Sequence, residues 1–115
     1  MFLLAAFLCL ASASLERIYV VPHANVHHGW KETIDTYYND KVKHILDNVV
    51  SFLDGHRTRK FVWAEVAYFS RWYTFTDDAM RAKVKKIIDE GRFEFVGGGW
   101  VQHDETLTNL DDILL

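Results

Sequence analysis

The strongest constraint on this chain is its alternation of short apolar runs with longer amphipathic ones. Residues 17–22 carry Ile18, Tyr19, Val20 and Val21 as a nearly continuous β-branched run that Pro22 closes, residues 61–66 form a second apolar run, and residues 92–96 a third. Runs without a polar face read as strands covered on both sides, as in a parallel sheet. Between the first two, Val42, Ile45, Leu46, Val49 and Leu53 recur at helical spacing over 41–53, and Asp54-Gly55 supplies a stop. A second helix is signalled by the hydroxyls and carboxylates of Thr74, Thr76, Asp77 and Asp78 at its start. Its stripe is Met80, Val84, Ile87 and Ile88, with Lys83, Lys85 and Lys86 towards its end and Gly91 after it. Strands joined by connections of this length run parallel with right-handed crossovers. The order β-α-β-α-β therefore predicts an α/β fold, a layer or a barrel segment.

Composition narrows the possibilities. A chain of 115 residues, 50% hydrophobic and 25% charged, is globular and holds one domain at most, which excludes an enzyme with a separate substrate domain. Thirteen basic against sixteen acidic residues, with no basic stripe interleaved with aromatics, exclude nucleic acid as a partner.

The amino end reads as a targeting segment. The uncharged run from Phe2 to Leu10 is followed by Ala11-Ser12-Ala13-Ser14, small residues of the kind signal peptidase accepts. Residues 1–14 are thus expected to be a cleaved signal peptide and residues 15–115 the mature domain. The apolar stretch is shorter than the ~20 residues of a spanning helix, so no stable membrane insertion is expected after cleavage. Cys9, the sole cysteine, lies in the signal, leaving the mature chain without a disulfide. No N-x-S/T sequon occurs.

In parallel α/β sheets ligands bind beyond the carboxyl ends of the strands, which draws attention to three connections. After the first strand come His23, Asn25, His27, His28, Gly29 and Trp30; after the second Glu65 and Arg71-Trp72; after the third Gly97-Gly98-Gly99-Trp100 with His103, Asp104 and Glu105. Histidines facing carboxylates on a neighbouring loop would supply zinc with N and O ligands; the alternative is solvated loop imidazoles. Trp30 and Trp100 would either offer indole faces to a sugar ring or fill core. The triple glycine lacks the spacing of a phosphate loop and reads as a tight turn. Asp104 and Glu105 are adjacent, so at most one would face a given substrate as acid or base.

Several blocks in order carry a family resemblance: Val20-Val21-Pro22-His23, Gly29-Trp30, Asp35, Tyr37-Tyr38, residues 59–65 (Arg-Lys-Phe-Val-Trp-Ala-Glu), Phe69-Ser70-Arg71-Trp72, residues 91–95 (Gly-Arg-Phe-Glu-Phe), Gly98-Gly99-Trp100-Val101 and Asp104-Glu105. They resemble the amino end of family 38 glycoside hydrolases, the α-mannosidases of lysosome and Golgi. The Phe-Ser-Arg-Trp wording and the cleavable signal are more similar to the lysosomal type. The resemblance implies the first part of a seven-stranded α/β barrel-like catalytic domain, retaining hydrolysis of terminal α-mannose from glycans, zinc as cofactor, and a place in the secretory pathway, lysosomal or extracellular.

In that family the motif H-x-H-x-D-x-G-W supplies two zinc ligands, its second His and its Asp, and a Trp lining the sugar subsite. Pro22-His23 and Gly29-Trp30 fix the register here, so the ligand positions hold Asn25 and His27, with His23 a further possible donor and Trp30 retained at the substrate position. Both ligands are substituted, a neutral amide for an imidazole and an imidazole for a carboxylate, which argues against strong zinc binding. The resemblance places the nucleophilic Asp and another zinc-binding His beyond Leu115. Leu107, Leu110 and Leu114 recur at helical spacing without a cap after them, as in a truncated domain. Two readings follow: an amino-terminal fragment of an α-mannosidase without activity of its own, or a secreted non-catalytic remnant binding sugar or metal through the His-rich loop.

Mass spectrometry of the protein from secretory cells should find its amino terminus near Ser14 or Leu15; an intact Met1 on the product would refute cleavage.

Overall fold

The computed structural model describes residues 17–102. The expected signal, Cys9, His103, Asp104, Glu105 and the stripe Leu107, Leu110 and Leu114 lie outside the described residues.

Thr33 begins the first helix, α1 (Ile34–Tyr37), its hydroxyl accepting from the Thr36 amide at 3.2 Å. The chain winds through one π-helical turn, Tyr38–Val42, into α2 (Lys43–Gly55). Val42, Leu46, Val50 and Leu53 then form the fully buried stripe. Spacing by four residues makes Val50 the core member, while Val49, expected on the stripe, packs at its border. After a turn closed by the Arg59 amide on the His56 carbonyl, 3.0 Å, strand β1 (Phe61–Trp63) begins.

Strand β2 (Phe93–Phe95) pairs with β1 in parallel, Phe61 beside Phe93 and Trp63 beside Phe95. The connection holds two helices, α3 (Val66–Phe75) and α4 (Asp78–Asp89). Asp77 caps α4, its carboxylate accepting from the Met80 amide at 2.7 Å, and Val84 and Ile87 are buried with Met80 and Ile88 beside them, as the sequence predicts. Helix α3 escapes the periodicity argument because five aromatic residues crowd its ten positions; Tyr68 and Trp72 alone are buried. Arg71 and Trp72 therefore sit on a helix, not on a loop.

The first expected strand is a correction. Ile18 is 87% and Val20 83% exposed, and the segment contributes only a single parallel bridge, His23 to Val62, with the Val62 amide donating to the Pro22 carbonyl at 2.9 Å. The register explains this. A bridge at Val62 sets residues upstream of Pro22 against residues upstream of Phe61, where the chain is still turning and offers no ladder. The described residues are thus α/β with a two-stranded parallel sheet.

One apolar cluster joins α2, α3, α4 and both strands. Arg92 is buried at the start of β2, donating to the Leu53 carbonyl at 2.6 Å, which satisfies an end of α2, and to Glu90 at 2.8 Å. Trp72 ties α3 to α2 by donating to Asp47 at 2.8 Å.

Leu46→Ala should lower unfolding free energy by about 2–5 kcal/mol in urea titration. Lys85→Ala, which removes an exposed pair with Asp89, should leave the urea midpoint unchanged.

Candidate functional site

The polar connections converge on Glu65, which lies two residues past the end of β1 and precedes the first turn of α3. Its side chain is 1% exposed. The Gln102 amide donates to its Oε2 at 2.9 Å, and Nδ1 of His28 lies 3.3 Å from the same oxygen. Its carbonyl accepts from the Trp63 indole at 2.7 Å, and the Ala67 amide donates to the Trp100 carbonyl at 2.9 Å. The loop before α1, the end of β1 and the loop after β2 therefore meet at the carboxyl end of the strands, the expected rim. Gly97 and Gly98 take φ of +72° and +65°, the left-handed region, which supports the tight-turn reading.

His28 lies flat on Tyr68, ring centres 3.8 Å apart. Among the described residues the 3.3 Å approach of Nδ1 to Glu65 is the one polar contact of the imidazole, short of a well-aligned hydrogen bond, and the Tyr68 hydroxyl has no partner. Burial pushes the His28 pKa below its ordinary value of 6.5, with Glu65 pulling upward and His27 adding to the decrease. Burial likewise raises the Tyr68 phenol.

Two concavities flank this knot. A cavity of about 280 Å³ is lined by Asn25, His27, Trp30, Lys31, Glu32 and Tyr37. A larger groove of about 700 Å³ runs past His28, Tyr68, Arg71, Phe75 and Trp100. The structure so brings Asn25, His27 and Trp30 together, while Trp100 belongs to the groove and His23 stays on the bridge to Val62. Trp30 is 77% and Trp100 65% exposed. Sequence reasoning missed Glu32 and Tyr68. It also missed the pairing of Arg71 with Asp35 at 2.6 Å, the guanidinium lying 4.3 Å over the Tyr38 ring. The signal was present, since Asp35, Tyr37-Tyr38 and Arg71 all lie in the blocks that carry the resemblance.

The donor set is a poor match to zinc. Among the described residues no three of His, Cys, Asp and Glu gather so as to hold a metal ion. The cavity offers the Asn25 amide and the His27 imidazole, and Glu32 is paired with Lys41. Zinc sites use three or four well-placed protein donors.

Residues 16–115 match the model of the glycosyl hydrolases family 38 N-terminal domain. The chain belongs to this family. Among its relatives, "Alpha-mannosidase C" of Dictyostelium discoideum is 38% identical over 97 residues, 84% of this chain and 9% of that protein. "Alpha-mannosidase 2" of Drosophila melanogaster is 38% identical over 86% of this chain and 9% of its own length. "Alpha-mannosidase 2" of Homo sapiens is 39% identical over 77% and 8%. The family 38 chain thus spans less than a tenth of these relatives. No described helix is long and apolar enough to cross a membrane.

Because the folded pKa of His28 lies below 6.5, protonation favours the unfolded chain: its contribution to stability is complete above about pH 6.5 and declines as pH falls towards the folded value. The urea midpoint should drop between pH 7 and pH 5.5, and His28→Phe should flatten that dependence.

Proposed function

We propose that this chain is the amino-terminal part of the catalytic domain of a retaining α-mannosidase acting on terminal α-mannose of glycans in the secretory pathway, lysosomal or extracellular. Its strand pair would begin the barrel-like sheet. The observation that carries the reading is the family match over residues 16–115, supported by relatives whose names are all those of α-mannosidases.

The residues at hand recognise rather than react. Trp30 presents an open indole to the apolar face of a pyranose, and the Asn25 amide and His27 imidazole at the same cavity suit its hydroxyls. Zinc finds no adequate donor set among these residues, so no step is assigned to it. Retaining hydrolysis needs two carboxylates about 5–5.5 Å apart, one of them a nucleophile. Glu65 does not qualify, being buried and held by the Gln102 amide. A polypeptide of these 115 residues is therefore a sugar-contacting wall of the site without turnover of its own. The open Trp30 also favours the second reading, a secreted remnant that binds sugar or metal without catalysis.

Purified chain should not hydrolyse an aryl α-mannoside above buffer; hydrolysis persisting after rigorous removal of host enzyme would overturn this. Calorimetry should show zinc binding no tighter than about micromolar and unchanged by His103→Ala, far from the roughly 10–16 kcal/mol of structural zinc sites. Nanomolar binding lost in His27→Ala would establish the metal-binding reading instead. A transcript continuing past Leu115 into a strand with the nucleophile would separate fragment from remnant.

A further inference from the structure

A carboxylate at 1% exposure is costly unless its hydrogen bonds are made, and an apolar side chain would fill the same space without that cost. Glu65 has instead one direct amide donor, Gln102, and one neighbouring imidazole, His28. These two come from different loops. Trp30 stands two residues beyond His28, across Gly29 in the left-handed region, and Trp100 two residues before Gln102. We propose that Glu65 is a positioning residue whose carboxylate fixes the loop of Trp30 and the loop of Trp100 in one frame, so that a single buried side chain sets both open indole faces. It acts through His28 and the Gln102 amide and touches no sugar itself. The Ala67 amide on the Trp100 carbonyl adds a second tie to one loop, but Glu65 is the side chain that reaches both. The assignment of the indoles to sugar rests on the proposed function; the coupling between them does not.

The test is NMR on the full chain, with no sugar needed. In Glu65→Leu the Gln102 amide should exchange at least about tenfold faster, and the indole signals of both Trp30 and Trp100 should shift and narrow with mobility, while Trp72, held by Asp47, stays in place. Glu65→Gln keeps an acceptor oxygen and should restore Gln102 protection. A response of only one indole, or of neither, overturns the proposal. Should Trp72 also lose its shift, showing general unfolding, His28→Phe decides: release of Trp30 with Trp100 unmoved supports it, and an unmoved Trp30 overturns it. Methyl α-mannoside is then added to the wild-type chain. Coupled indoles without binding would refute the sugar reading and leave the role of Glu65 standing.

Discussion

Parallel pairing of β1 with β2 is the constraint on which the rest depends. Two parallel strands cannot be closed by a tight turn, so the chain must return across one face of the sheet, and α3 and α4 are that return. Their path buries Tyr68, Trp72, Val84 and Ile87 against α2 and the sheet. The same pairing points both strands one way, so the chain leaves β1 at Glu65 and β2 at the glycine turn on one edge of the molecule. The polar groups collect there because geometry leaves them nowhere else to meet.

Arg92 shows how α2 and the strand pair are held in step. Its guanidinium satisfies the carbonyl of Leu53 at the end of α2, while its own carbonyl accepts from the Phe61 amide at 2.8 Å. One residue so terminates a helix and opens a strand pair. Buried cations are tolerated where several acceptors surround them, and Glu90 completes the set.

Local signals were legible where the cause is local. The Asp77 cap, the Val84 and Ile87 stripe and the turn at Gly97-Gly98 depend on neighbours in sequence and were readable from it. The rim of three connections also followed from strand order. What could not be read depends on partners far along the chain. Ile18 to Val21 has the composition of a strand, but a strand exists only opposite another, and the register at His23 denies it one. Helix α3 was hidden by aromatics whose burial is decided far along the chain, Tyr68 against His28 and Tyr38 and Trp72 against Asp47 of α2. Histidines facing carboxylates of a neighbouring connection were expected from the sequence, but which of them meet was not; that His28 is the one against Glu65 is a product of the crossover.

The open run from Ile18 to Val21 has a further consequence for handling the chain. Four adjacent residues, three of them β-branched, stand exposed at 57–87% beside a short sheet. Such a segment is a template for edge-to-edge pairing between molecules, without proline or charge inside it to interrupt the match. Concentrated solutions of the chain would accordingly drift towards β-rich aggregates seeded at its amino end, and a lysine placed at Val20 would act as a gatekeeper against them.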